Sequence, residues 1–244
     1  MPEPVQSLLG RIEAAEAEHL SLYGGEVRQF GPLRAMFAGP ELPVNVACGF
    51  GNSLDGLDSL LDSVEAFYTL HGLPSRLVLY SHFGGWETLA ARGYSLLRLL
   101  HVYARPLDAL PDVPELTVRP SPPAEFARLS AEAFGPGNEA IMQRTVQRPR
   151  TRFFAAELGA QPVAIGAVSV FGNLALLFST ATLPAFRGRG AQTALLAARL
   201  QAAHAAGASL AAVMTTPGSA SERNVLRAGF VLAGARLSME RVRA

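Results

Sequence analysis

The sequence predicts an α/β fold in which a mixed central sheet is flanked by helices, with this unit built twice along the chain. Three observations lead to this prediction. Apolar segments typical of strands alternate with helical segments over the 244 residues. One such strand runs directly into a glycine-rich turn and then into a long alanine-rich helix. Finally, the order strand, helix, strand, helix, strand occurs in both halves of the sequence.

The composition limits the class of protein. With 49% hydrophobic and 17% charged residues, the chain can bury a large core. Its net charge is +1 and no basic run stands out, so we expect no nucleic-acid partner. No apolar stretch reaches the ~20 residues needed to cross a bilayer, and the N-terminus does not resemble a signal peptide. We therefore expect a cytoplasmic protein without a membrane partner.

Two residue counts exclude particular chemistries. Cys48 is the only cysteine, which excludes an intrachain disulfide and a cysteine-rich zinc site, and we expect no metal. All 21 basic residues are arginine. The absence of lysine excludes a Schiff-base lysine and the lysine of a Walker-type phosphate loop.

The first half of the chain alternates helices and strands, each predicted from apolar periodicity and from the glycines that end it. The predicted helices are Val5–Tyr23, Leu57–His71 and Trp86–Arg92, and the predicted strands are Leu33–Phe37, Val44–Phe50, Arg76–Tyr80 and Leu96–Arg105. Pro106 to Pro114 contains three prolines and two aspartates, a composition typical of a linker. We place domain boundaries at residues 1–107 and 116–244, with a linker at 108–115.

The second half begins again with a strand and follows the same alternation. The predicted strands are Thr117–Arg119, Arg152–Leu158, Val163–Val170, Leu174–Thr182, Leu210–Thr215 and Ala235–Val242, and the predicted helices are Pro123–Phe134, Glu139–Val146, Gly190–Ala206 and Ser221–Ala228. Trp86 to Tyr94 matches Glu222 to Phe230: each is a short helix followed by glycine and an aromatic residue. This similarity predicts a tandem duplication.

The turn from Leu183 to Thr193 is suited to binding a pyrophosphate. Gly188 and Gly190 let the backbone approach a ligand closely. The first amides of the following helix lack intrahelical partners and point toward an anion at the positive end of the helix dipole. Arg187 and Arg189 add guanidinium groups that match phosphate oxygens. A Rossmann turn is disfavoured because Thr193 stands where its third glycine would be.

The segment around this turn resembles the signature of the GCN5-related N-acetyltransferase (GNAT) family, Arg/Gln-x-x-Gly-x-Gly/Ala. Gln192 departs from the pattern, since glycine or alanine is usual there. The resemblance implies the acyl-CoA N-acyltransferase fold and acetyl-CoA as cosubstrate. The cofactor-binding residues that it implies are Ala181, Thr182, Leu183, Arg187, Gly188, Arg189, Gly190, Ala191, Gln192, Thr193 and Asn224. Asn224 belongs to a second matching segment, Pro217 to Phe230, although it also fits an amide on a helix surface.

The first half follows the same topology more weakly. Its corresponding loop, Gly49 to Gly56, has no arginine and carries Asp55 where phosphate would bind. We therefore interpret the first half as a degenerate GNAT-like domain that does not bind CoA. This first half either forms a wall of the acceptor site and supplies the acid that the second half lacks, or it is a duplicate that contributes only packing.

The catalytic groups are few in the second half. The tyrosine that the family often uses corresponds to Val225, and all five tyrosines lie in the first half. Ser221 is a candidate proton relay, although serines in such segments often cap helices. Glu157 is a candidate base or substrate carboxylate, although it also fits an ordinary exposed acid at a strand end.

The resemblance thus predicts transfer of an acetyl group from acetyl-CoA to the amine of a small molecule or peptide. A backbone N–H near Ala181 or Thr182 would stabilise the oxyanion. The alternative is a CoA-binding sensor or interaction module that has lost catalysis, because acid and base are both weakly represented. A homodimer is left open.

Overall fold

The computed structural model describes residues 5–52, 54–112 and 116–242. The chain divides into two compact units, with breaks between Val102 and Tyr103 and between Leu232 and Ala233. The residues after Leu232 therefore group with the first unit, whereas the sequence assigns them to the second domain. The predicted linker ends at residues 113–115, which lie outside the described residues. The domain boundaries at 1–107 and 116–244 stay a prediction.

Among the described residues, the first unit contains three helices and four complete strands, together with one end each of β5 and β11, which cross the breaks between the units. Its elements are α1 (Val5–Ser21), β1 (Glu26–Phe30), β2 (Leu33–Phe37), β3 (Ala47–Cys48), α2 (Leu57–Leu70), β4 (Arg76–Tyr80), α3 (Trp86–Ala91), the start of β5 (Tyr94–Pro106) and the end of β11 (Val231–Arg241). The strands follow the order β1-β2-β3-β4-β11. The β3–β4 pairing is parallel, through Ala47 and Leu77. The buried face of α2 packs on these strands through Leu61, Val64 and Phe67.

Two local predictions in this unit differ from the structure. Strand β1 was not predicted, because its three central residues are exposed and it therefore lacks an apolar alternation. The apolar run Val44–Phe50 is predicted as one strand, but strand β3 comprises only Ala47 and Cys48 of this run. The side chain of Asn45 accepts from the Ala38 amide and donates to the Gly39 carbonyl, which holds the preceding residues in a loop.

The second unit contains four helices, a short 3-10 turn and a sheet of antiparallel and parallel strands. Its elements are the end of β5, β6 (Val118–Pro120), α4 (Pro123–Phe134), α5 (Glu139–Val146), β7 (Thr151–Leu158), β8 (Gln161–Phe171), β9 (Leu174–Thr182), the 3-10 turn (Pro184–Phe186), α6 (Ala191–Ala205), β10 (Leu210–Thr215), α7 (Ala220–Arg227) and the start of β11. The order β10-β9-β8-β7-β6 places β9 between a parallel and an antiparallel neighbour. The α/β class with a mixed sheet flanked by helices is confirmed.

The core of this unit has one layer on each face of the sheet. Helix α6 packs on one face through Leu195, Leu196 and Leu200. Helix α4 packs on the other face through Phe126 and Leu129. Because α6 is rich in alanine, its backbone lies close to the strands beneath it. Its first turn is thereby fixed at the end of β9, where the predicted phosphate turn lies.

Strand β5 begins in the first unit and ends in the second, whereas β11 begins in the second unit and ends in the first. In the second unit, the amide of Leu107 donates to the Ser209 carbonyl (2.9 Å), and Arg105 donates to the Ala228 carbonyl. In the first unit, β11 pairs antiparallel with β4 from Arg236 to Glu240. Each unit is thus completed by a strand end from the other half of the sequence. Within the described residues, none of the helices combines the length and apolarity needed to cross a membrane.

Candidate active site

The turn between β9 and α6 presents backbone amides at a helix N-terminus. Gly188 and Gly190 adopt positive φ angles of 78° and 81°, which favour glycine. Gly190 is the N-cap of α6, and no side chain caps the helix there. The amides of Ala191, Gln192 and Thr193 are the first three of the helix, so they have no intrahelical acceptor. A bound anion would gain ~0.3–1 kcal/mol from the helix dipole.

Strands β9 and β10 diverge just before this turn. Their parallel pairing runs from Leu174 with Leu210 to Leu177 with Val213, whereas β9 continues to Thr182. The β8–β9 register also shifts here, so that Ser179 and Thr180 together face one residue of β8. Ser179 has a φ of 46°, which is the left-handed conformation of a bulge residue. The end of β9 is therefore bent and its side toward β10 is open.

A cavity of about 640 Å³ lies at this opening. Ten of the eleven predicted cofactor-binding residues line it; the exception is Leu183, which is buried and donates its amide to the Val163 carbonyl. The lining also includes residues that the sequence analysis did not single out: Ala133, Phe134, Thr180, Phe186, Ala220, Arg223 and Arg227. The site residues predicted at the turn are thus brought together around one cavity.

The charges around the cavity have one sign. Arg187, Arg189, Arg223 and Arg227 line it, and no acidic residue is among the lining residues. Arg223 and Arg227 come from α7 and are spaced by one helical turn, so they face the same side. That spacing is the sequence signal that could have identified them. The guanidinium of Arg189 lies 5.6 Å from the centre of the Phe186 ring, a cation–π contact that limits its freedom. Such a cavity suits a polyanion.

Gln192, which departs from the family pattern, has a local role. Its side-chain amide donates to the Thr182 hydroxyl over 2.8 Å. This bond ties the first turn of α6 to the last residue of β9. The side chain of Gln192, which is larger than the usual glycine or alanine, is therefore directed across the turn. The amides of the helix N-terminus remain accessible from the cavity.

Helix α7 forms the opposite wall. Ser219 caps it by accepting from the Glu222 amide, whereas Ser221 lines the cavity and is exposed. Asn224 also lines the cavity, and its side-chain amide bonds to no other described residue. Both side chains are available to a ligand. The predicted helix surface thus faces a cavity.

Tyr103, from the end of β5, reaches the base of α7. Its hydroxyl donates to Glu222 Oε1 over 2.8 Å, and Glu222 Oε2 accepts from the Gly218 amide. Burial, and then the bond to Glu222, raise the pKa of Tyr103 to about 12. A tyrosine from the first half of the sequence therefore lies in the second unit, but outside the cavity lining. Val225, at the family's tyrosine position, is buried.

Glu157 lies away from this cavity. Its carboxylate accepts from Arg119 Nε over 2.6 Å, and Arg119 also bonds both oxygens of Glu125. Arg119 holds the pKa of Glu125 below its usual value. The structure therefore does not bring Glu157 together with the other predicted site residues.

Comparison with known proteins agrees with this geometry. The family model described as Acetyltransferase (GNAT) family matches residues 118–230. That segment is a GNAT domain. It contains β9, the predicted phosphate turn, α6 and α7, so the family match covers nearly all of the residues that line the cavity. No curated protein sequence matches the chain significantly.

Solved structures share the fold of most of the chain. A GCN5-related N-acetyltransferase from Kribbella flavida superposes with a TM-score of 0.75 at 15% identity, covering 96% of each chain. One from Sphaerobacter thermophilus gives 0.63 at 17% identity, covering 81% of this chain and 72% of its own. A tandem GNAT protein from the clavulanic acid biosynthesis pathway gives 0.59 at 18% identity, covering 81% and 74%. At these identities the likeness establishes the acyltransferase fold alone.

Proposed function

We propose that the protein transfers an acetyl group from acetyl-CoA to the amine of a small molecule or peptide. The observation that carries this proposal is the cavity at the N-terminus of α6, which four arginines line without an acid. It combines free helix amides with an opening between diverging strands. A long anionic cosubstrate with a thioester at its neutral end fits both features.

The residues take separate roles in this proposal. The turn amides and Arg187 and Arg189 hold the pyrophosphate, since guanidinium groups bind phosphate oxygens in a forked geometry. The open side of β9 beyond Leu177 pairs with the pantetheine amides. A backbone N–H near Ala181 or Thr182 stabilises the oxyanion as the amine attacks the carbonyl. Asn224 and Ser221 contact the cosubstrate from α7.

A CoA-binding module without catalysis is the second candidate. Two observations favour it: Val225 is buried at the tyrosine position, and Glu157 is paired with Arg119 outside the cavity. The two candidates differ in one measurement. Thiol release from acetyl-CoA that depends on an added amine, across a broad amine panel, supports the enzyme. Binding without any amine-dependent release supports the module.

The proposed cosubstrate is tested by calorimetric titration of acetyl-CoA into the wild type and into Arg189→Glu. We expect micromolar binding that the charge reversal weakens more than tenfold, or about 1.4 kcal/mol. Arg128→Glu is the matched control, because Arg128 is an exposed arginine outside the cavity lining and its variant should bind normally. A folded wild type that does not bind acetyl-CoA would overturn the proposal.

A further inference from the structure

A buried arginine lies under the bulge of β9. Arg199, in the middle of α6, is only 3% exposed. Its Nε donates to the Leu195 carbonyl (3.0 Å), and its Nη1 donates to the Ala167 carbonyl (3.2 Å) and to Thr180 Oγ1 (2.6 Å). Among the described residues, no carboxylate lies within ion-pairing distance of its guanidinium. Burial lowers the pKa of Arg199.

The strand beneath is shaped to admit this guanidinium. A Cβ at Gly166 would lie 2.9 Å from Arg199 Cζ, so glycine is needed for the guanidinium to rest against the backbone. The bulge places Ser179 and Thr180 together opposite Gly166. Gly166, the bulge and Arg199 therefore together fix the position of the Thr180 side chain. A cation buried without a carboxylate costs stability, which a purely structural role would not require.

Thr180 connects this arginine to the cavity. It lines the cavity, and its Oγ1 accepts a charge-assisted hydrogen bond from Arg199. Because the oxygen is the acceptor in that bond, the hydroxyl proton is left to donate elsewhere. Among the described residues, the acceptor that this hydroxyl reaches is the Phe178 carbonyl at 3.4 Å, which is a long contact. A ligand atom in the cavity can compete well for this proton.

We propose that Thr180, polarised by Arg199, donates a hydrogen bond to the sulfur of the departing thiolate. This inference rests on the proposed function and deepens it. The C–N bond forms as the amine attacks, the C–S bond breaks and its electron pair goes to sulfur. The amine proton leaves to water. Thr180 keeps its own proton, and the thiolate is protonated later from water. Thr180 thereby takes the role that Val225 cannot fill, and Arg199 is a positioning residue.

The proposal is tested without knowing the acceptor, by measuring the pKa of the thiol of coenzyme A bound to the protein. Thiolate absorbance is followed during a pH titration of the complex. A free thiol has a pKa of about 8.5, and bound coenzyme A should titrate lower. The four cavity arginines lower the thiol pKa in every variant, so differences between variants isolate the contribution of Thr180 and Arg199.

We expect Thr180→Val and Arg199→Met each to raise the pKa of the bound thiol by about one unit, a tenfold change in ionisation. Thr180→Ser should restore the wild-type value, because it keeps the hydroxyl. Thr151→Val and Arg128→Met are matched controls, and neither should change it. Thr151 bonds Ser169 outside the cavity lining, and Arg128 is exposed. If Arg199→Met does not fold, Gly166→Ala displaces the guanidinium instead.

The outcomes separate this inference from the proposed function. If the wild type does not bind coenzyme A, the proposed function fails and this inference fails with it. If coenzyme A binds with equal affinity to all variants and the thiol pKa is the same in each, only the role of Thr180 and Arg199 is overturned. If Thr180→Val raises the pKa of the bound thiol but Arg199→Met does not, the polarising role of Arg199 is overturned.

Discussion

Two strand–turn–helix regions of the molecule have the same order of elements but differ in the charged residues around their turns. In each unit a strand, β3 or β9, pairs parallel with the strand that follows the helix. In each, the helix begins after a glycine with positive φ, Gly56 at 66° and Gly190 at 81°, and no side chain caps it. The second unit places arginines and a cavity at this point. The first unit places acids there, including Asp58 in the first turn of α2.

The turn of the first unit already bonds a carboxylate from the same chain. Glu13 of α1 is 3% exposed, and its Oε1 accepts from the Gly51 amide over 3.1 Å. Its Oε2 lies 2.8 Å from His82 Nε2. Nearby, Glu16 accepts from Tyr80 and Arg236. The first unit therefore uses internal carboxylates where the second offers its amides to a ligand. Two glycine turns that start a helix in the same way are thus surrounded by charges of opposite sign.

The largest expected effect concerns Glu16. Arg236 Nε bonds both of its oxygens, at 2.8 and 3.0 Å, and both side chains are mostly buried. Glu16→Gln leaves the charge of Arg236 unpaired, so the free energy of unfolding of the first unit should fall by about 3 kcal/mol. Urea unfolding followed by the fluorescence of Trp86, the only tryptophan, measures this.

Two further variants sharpen that result. Glu87→Gln changes an exposed acid and should leave the urea midpoint unchanged. The combined variant Glu16→Leu, Tyr80→Phe and Arg236→Met replaces the whole polar group by apolar side chains and should recover most of the lost stability. Equal stability of Glu16→Gln and wild type would show that these internal carboxylates do not stabilise the first unit.

A smaller effect is expected at the cavity of the second unit. The combined variant Arg223→Ala and Arg227→Ala removes two cationic groups from α7, so the Kd for acetyl-CoA should rise about tenfold, or about 1.4 kcal/mol. Calorimetry at low ionic strength measures the Kd of the variant and of the wild type. Added salt should reduce the difference between the two Kd values, because exposed charges are screened. Arg128→Ala is the control. An unchanged Kd would mean that α7 does not contribute to anion binding.

The smallest expected effect tests the first unit directly. Glu13→Gln removes the negative charge from its turn but adds no arginine, so the number of acetyl-CoA molecules bound per chain should remain one. Calorimetric stoichiometry decides this, with Arg189→Glu as the control for the site in the second unit. A stoichiometry of two would show that Glu13 alone keeps the first unit from binding the cosubstrate.

Sequence reasoning succeeded where the signal is local. The run from Leu174 through Gly190 joins an apolar strand, paired glycines and a helix start within a few residues, and most of the predicted turn residues line the cavity. The interactions of Glu157 and Arg199 could not be predicted. The partner of Glu157, Arg119, is 38 residues away, and an arginine in an alanine-rich helix has the same local pattern whether buried or exposed.

The passage of β5 and β11 from one unit to the other could not be predicted from the sequence either, because an apolar strand does not indicate which sheet it will join.

The passage of these strands between the units has an evolutionary consequence. The first half of the sequence ends in strand β5, which brings Tyr103 and Leu107 into the second unit. A gene that lost this half would also lose part of the framework of the second unit. Selection on the second unit therefore preserves the first half of the sequence as well, and the two are inherited together.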